Sequence, residues 1–353
     1  MSAPSAAVDK TQFASVLLQR LNAFFSDQQK SRKGDALMTF KIGFGLMLWA
    51  VTYGSFFVSG ISNNLFFLLY LLHGCTHVFL LLNITHDSNH QAISSKPFIN
   101  KLLSLVMDVC GINSYMWRIL HHHGHHSCIN VYGEDEAILG RNFFRFSPHS
   151  QRRSIYRYQH IYVFPLYLLF SLDYVLIKDI RGFFFPNYQP LKHARHAARE
   201  YLILFGGKLF YLMYMLAIPI AVLGRPSLLV LSAFGVTHGI IGMTTLMVFQ
   251  STHVIEASHF PQTRNDFDTY VEHIFATTAD YSTRNRLASF LVGGLNHHIV
   301  HHLVPNVCHT HYDELTKIVR ETSREHGIVY REHETIWKAF ARHLALLKRL
   351  GRA

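Results

Sequence analysis

The sequence has few of the groups on which most soluble enzymes rely. Lysine, arginine, aspartate and glutamate make up only 16% of its 353 residues, against 49% hydrophobic residues. That balance excludes an ordinary soluble enzyme of this length and points to a membrane. Carboxylates number 22 and histidines 26, so the chemistry is expected to run on imidazole, a ligand suited to Zn, Cu, Fe and Ni. The four cysteines, Cys75, Cys110, Cys128 and Cys308, form no CxxC pair. Their scatter excludes a disulfide framework and a thiolate zinc site, and fits a reducing, cytosol-facing setting. Residues 1–36 hold no basic stretch followed by an apolar core, so no cleaved signal peptide is expected. No repeat of solenoid length occurs, and a single domain spanning 1–353 is expected.

Long apolar runs are present. A membrane-crossing helix needs about 20 mostly apolar residues, and four windows qualify: 38–60, 64–84, 203–223 and 227–250. They pair into two hairpins, which turn at Gly60-Ile61-Ser62-Asn63 and Gly224-Arg225-Pro226. The expected fold class is an all-α membrane protein with four transmembrane helices and a cytoplasmic helical cap. Two further apolar stretches are interrupted, Ile99–Met116 by Lys101 and Asp108, and Ile155–Ile177 by Arg157, His160, Pro165 and Asp173. Both are read as lying on the membrane.

Four spans leave 1–37, 85–202 and 251–353 on one side. Of the 33 lysines and arginines, 30 fall there, so the positive-inside rule places both termini in the cytoplasm. The endoplasmic reticulum and a bacterial plasma membrane give the same sidedness. The net charge of +11 is assigned to attraction by anionic headgroups, and no nucleic-acid partner is expected.

The clustered histidines fall just past the cytoplasmic ends of the spans or in the cytoplasmic segments. His86 and His90 are four residues apart and share a helix face. The run His121-His122-His123-Gly124-His125-His126 follows, His253 stands alone beyond the fourth span, and His298, His301 and His302 are spaced at i, i+3, i+4. Two hairpins return the chain to one face each time, so the clusters converge. Nine imidazoles are too many for one ion, and a two-metal site follows. A zinc hydrolase needs three protein ligands and a water, whereas an all-nitrogen pair beside a bilayer suits O₂ activation at iron.

The segment Trp117–Glu136, with the earlier HDSNH and the later GGLNHHIVHHLVPNVCHTHY, resembles the membrane fatty acid desaturase family, and within it the front-end, linoleoyl-CoA type. The resemblance covers about 80–350. It implies O₂-dependent desaturation of a fatty acyl chain at two non-haem irons, with O₂ as co-substrate and no catalytic acid or base separate from the ligands. The implied ligands are His86, His90, His125, His126, His253, His298, His301 and His302, with His121 or His122 as the upstream partner of the second cluster and His123 a bystander. Asp87, Glu256 and Asn296 are the expected supports, alongside Glu134, Asp135 and Asp280, and Asn296 is also a candidate cap for the third cluster's helix. Front-end relatives usually have Gln at the position of His298, which leaves an acyl hydroxylase or acetylenase open on the same scaffold. A histidine-rich metal transporter is the rival from another class; it calls for ionisable residues at the midplane of several spans.

The implied substrate is a fatty acyl group carried by CoA, acyl carrier protein or a lipid ester. No HPGG haem motif precedes the first span, so electrons are expected from a separate donor, cytochrome b5 or ferredoxin with its reductase. His73, His77 and His238 fall inside spans and are read as structural or as lining an acyl tunnel. His309 and His311 are further candidates for touching substrate or metal. Residues 313–352 are read as amphipathic helices.

Overall fold

The computed structural model describes residues 10–139, 142–184 and 196–353; 1–9 and 185–195, expected on the cytoplasmic side, lie outside them. Helix α1 (Lys10–Asp27) precedes α2 (Ala36–Phe57) and α3 (Asn63–Asn89). The α2–α3 turn is built as its sequence indicates. Asp35 and Ser62 cap the two helices by accepting from Met38 N and Leu65 N, and Gly60 takes the left-handed φ of +77°. Next come α4 (Ser114–His121), α5 (Ser154–Phe184), α6 (Ala198–Val222), α7 (Ser227–His253), α8 (His298–Leu303), α9 (Tyr312–Glu325) and α10 (Ile336–Arg352). The described residues include one small sheet, a parallel pair joining Asp280–Tyr281 to Glu332–His333.

Five helices, not four, are long and apolar enough to cross a membrane: α2, α3, α5, α6 and α7. The addition is α5, whose sequence reads as broken. Arg157 is exposed near its start, and Pro165 sits inside a helix that nonetheless continues to Phe184. The polar interruptions therefore do not end the helix. Along its length α5 packs closely on α7. A Cβ on Gly242 would lie 2.4 Å from the Tyr167 carbonyl oxygen, so this crossing requires glycine. Both ends of α5 are tied to other segments. Gln159 donates to the Leu347 carbonyl of α10, and Lys178 pairs with Glu136 at 2.5 Å.

The Ile99–Met116 stretch is not one surface helix. The helix Pro97–Ser104, with Phe98 and Leu102 exposed, is followed by the short helix Val106–Val109 and a turn at Gly111 (φ +84°) that inserts among the long helices, where the Val109 carbonyl accepts from Tyr214 and the Gly111 carbonyl from Lys208.

The C-terminal region is helical and amphipathic as expected. Phe13, Leu17 and Leu21 of α1 share a buried cluster with Ile299 and Val300 of α8 and Leu315 and Val319 of α9. Phe340, Leu346 and Leu347 of α10 pack on Val163, Tyr167 and Leu246. His343 ties this layer to the end of α7, with Nδ1 donating to the Val254 carbonyl and Nε2 bonded to the Tyr167 hydroxyl at 2.8 Å.

Gly242→Val should force α5 off α7 and lower Tm, an overpacking cost of about 1–3 kcal/mol. Gly235→Ala, where an added Cβ meets nothing within 4 Å, should leave Tm unchanged or slightly raised. Thermal unfolding of the purified protein in detergent checks both.

Candidate metal centre

Four chain segments bring histidines to one place. The first is the end of α3, where Leu81–Thr85 form a π turn just before His86. A π turn inserts an extra residue and resets the helix face, aiming His86 and His90 together. The second is a π turn over His122–His126 that continues α4. Its wider i, i+5 repeat sets His121 beside His126, with Nε2 atoms 3.1 Å apart. His253 is the last residue of α7, and α8 carries His298, His301 and His302. Before α8 the chain turns through Gly293 at φ +63°. A Cβ there would lie 2.2 Å from the Leu82 carbonyl oxygen, so glycine alone lets this turn rest on the stretch that leads to His86.

The ring nitrogens sort into two adjoining groups. His86, His90, His121 and His301 form one, and His125, His253, His298 and His302 the other, with ligand atoms inside 4.8 Å of one another in each. His126 stands between them, grouped with His301 and His302, and its Nε2 lies 3.0 Å from that of His301. The Nε2 atoms of His302 and His253 are 3.1 Å apart. Two nitrogens at right angles on one ion, with bonds of about 2.1 Å, stand about 3 Å apart, so the spacing is that of neighbouring ligands.

The other ring nitrogens are held from outside. His125 Nδ1 donates to Asp135 at 3.0 Å, His298 Nδ1 to the Leu295 carbonyl at 3.0 Å and His253 Nδ1 to the Thr277 carbonyl at 3.3 Å, while His301 Nδ1 meets the Tyr312 hydroxyl at 3.3 Å. The carboxylate and carbonyl contacts place the proton on Nδ1 and turn the Nε2 lone pair inward. The Nε2 atoms of His86, His90 and His298 are buried and have no protein partner among the described residues. Buried polar atoms are rarely left so, and the donor set fits a metal. Burial, reinforced by neighbouring imidazoles, holds His121, His126, His301 and His302 well below the ordinary histidine pKa. They are neutral, as ligands must be.

Of the ten expected histidines, nine join these groups and His122 joins neither. The π turn is the reason: it selects His121, and the His122 ring packs on His90 at 4.5 Å instead. Among the expected supports Asp135 holds a ring, but Glu256 points to Arg342 at 3.2 Å near the surface and Glu134 pairs with Arg264. Asn296 donates to the Ser282 carbonyl and Ser289 Oγ, bracing the turn. The cap expected of Asn296 is made instead by Asp280, which accepts from Ile299 N, and burial pushes its carboxyl up to about 7. Asp87 reaches His86 only at 3.7 Å and instead accepts from His309 Nδ1 at 2.8 Å; His309 Nε2 in turn meets Lys41 Nζ at 2.7 Å. This buried chain supports the back of the His86 segment. Its one advance sign was a lysine on an apolar helix. His311 bonds the Lys33 carbonyl.

A cavity of about 540 Å³ reaches the site, where His86, His121, His125 and His253 line it, and its other walls are largely apolar side chains of α5 and α7. His73, His77 and His238 do not line it. They bond inward to Thr52, Trp49, Tyr214, Tyr211 and Ser171, a structural network.

The sequence profile described as fatty acid desaturase matches residues 62–334. The chain belongs to the fatty acid desaturase family. It is similar to the sn-1 linoleoyl-lipid 6-desaturase of Synechocystis sp., 32% identical over 98% of this chain and 97% of the relative. The enzyme of that name from Arthrospira platensis is 31% identical over 96% and 92%. The acyl-lipid (8-3)-desaturase of Physcomitrium patens is 30% identical over 98% and 73%. These are front-end types, and the protein is an oxidoreductase of lipid metabolism with a histidine-rich site compatible with metal.

Asp135→Ala should free the His125 ring and weaken metal binding about 10–100-fold, whereas Glu256→Ala should leave it unchanged. Equilibrium metal titration of the two purified variants distinguishes them.

Proposed function

We propose that the chain holds two irons, one at His86, His90, His121 and His301 and the other at His125, His253, His298 and His302, with His126 between them. The observation that carries this reading is the pair of adjoining all-histidine groups with inward Nε2 atoms at the end of an apolar cavity. When bound, the irons would supply, with O₂ and two electrons, the oxidising power to remove hydrogen from two adjacent methylenes. The protein does the placing. Asp135, Tyr312 and the Thr277 and Leu295 carbonyls orient the rings, and the apolar walls take up the chain and exclude water.

The substrate proposed is a fatty acyl group esterified in a membrane lipid, in line with the acyl-lipid and linoleoyl-lipid enzymes the chain resembles. Electrons come from a separate carrier, cytochrome b5 or ferredoxin.

Four spans cross the bilayer and both termini are cytoplasmic. α5 lies along the membrane and does not cross it, which is supported by Gln159 near one end reaching α10 and Lys178 near the other reaching Glu136, the latter one residue from the carboxylate that holds His125. A reporter enzyme fused after Ala353 should accordingly be active only in its cytoplasmic form; activity of a periplasmic or lumenal reporter there would overturn the topology.

Expression in a host of simple lipid profile, followed by mass spectrometry with double-bond location, tests the activity. His301→Ala and His125→Ala should abolish the new product, while His122→Ala and His123→Ala should retain it. Metal analysis should find about two irons per chain. Zinc alone, with no O₂ consumption, would sink the diiron assignment.

A further inference from the structure

Most of the cavity's lining that is not histidine is apolar, yet an ion pair stands in it. Glu136 and Lys178 both line the cavity, both are largely buried and their charged atoms are 2.5 Å apart. The Lys178 ammonium also donates to the Tyr174 hydroxyl at 2.9 Å and lies 4.0 Å from the centre of that ring. Apart from histidine, Lys178 is the one basic residue of the lining among the described residues. A buried ion pair is weak evidence of a stabilising role, because apolar residues of similar volume commonly replace one without loss. Its placement is more informative.

Glu136 follows Asp135, the residue that holds His125, and consecutive Cα atoms are about 3.8 Å apart. The segment is pinned, because Ala137 N also donates to Asp135 and the Ala137 carbonyl accepts from Gln250 of α7. Lys178 reaches it from the opposite wall, on α5. A polar group therefore sits at a set, short offset from the histidine groups, inside the cavity that would hold the acyl chain.

We propose that the Glu136–Lys178 pair binds the acyl carbonyl of the substrate and so sets how many carbons from the carbonyl the chain is oxidised. This rests on the acyl-desaturase reading above. An ammonium has three donors, of which Glu136 and Tyr174 account for two. A lysine already neutralised by a carboxylate suits a neutral dipolar acceptor, a carbonyl oxygen, better than a free carboxylate or a phosphate. Ester and thioester present the same oxygen. Such an anchor places the double bond near the carbonyl end, the outcome of a front-end enzyme.

The test uses the full chain in the expression host, fed a single fatty acid, with double-bond positions read by mass spectrometry. Glu136→Gln combined with Lys178→Met removes both charges together, leaving neither buried alone. The double variant should keep producing unsaturated lipid but lose positional fidelity about 10–100-fold, the discrimination conferred by a hydrogen bond to a charged group. Lys178→Arg keeps the charge but moves the donors, and should shift the ratio of positional isomers in the same direction by less. If the double variant does not accumulate, Lys178→Arg alone decides.

A ratio unchanged within about 2-fold, with only total product reduced, would show that the pair merely ties α5 to the 136 segment and would overturn the inference. Pulse labelling separates the two sources of carbonyl. Product appearing first in glycerolipid assigns the ester, and first in the acyl-CoA pool the thioester; either supports the anchor provided the ratio moves. Failure of the unmutated chain to make any product would fall on the acyl-desaturase reading, whereas a constant ratio from an active chain falls on this inference alone.

Discussion

Nine imidazoles from four distant segments are turned to face one another inside the protein, and the rest of the structure serves that arrangement. Lone pairs buried and aimed at each other are unfavourable unless a cation lies between them, so each ring has to be held in place from behind. Asp135, Tyr312 and the carbonyls of Thr277 and Leu295 do this at Nδ1. Their effect is to leave Nε2 pointing inward, the orientation a histidine-held metal requires.

The helices supply the second requirement, that segments hundreds of residues apart end at one level. The hairpin of α2 and α3 and the end of α7 bring His86, His90 and His253 together, while α1 and α9 pack behind α8 and press its three histidines forward. Two local irregularities make the final adjustment. The π turns at Leu81–Thr85 and His122–His126 rotate side chains that an unbroken α-helix would direct elsewhere, and glycine at 293 lets the turn before α8 approach the first of them. The cavity then follows from α5, whose close crossing with α7 at Gly242 forms an apolar wall leading to the site.

Much of this was legible in the residues alone. Apolar windows and turn residues marked α2, α3, α6 and α7, because bilayer thickness and helix rise impose a length that composition reveals. The three histidine clusters were equally plain, since their spacings fit helix geometry and their positions all fall in segments expected on one side of the membrane. Less legible were features that depart from the regular α-helix or depend on contacts between distant segments. α5 was taken as interrupted because its polar residues were counted without knowing where they face. Both His121 and His122 remained candidates because the choice turns on a π turn, whose i, i+5 repeat leaves no simple mark in composition. Glu256 and Asn296 lie close to the clusters along the chain, but their side chains point to Arg342 and to the turn around Ser282 and Ser289.

The sequence by itself determined that the protein is a helical membrane oxidoreductase with its histidines gathered on one face, because hydropathy and residue type act locally along the chain. Only the tertiary structure decided which histidines share a group, which carboxylate supports them and where a charged pair enters a largely apolar cavity. Those are distances between segments as far apart as His86 and His301, and they are set by packing, not by order along the chain.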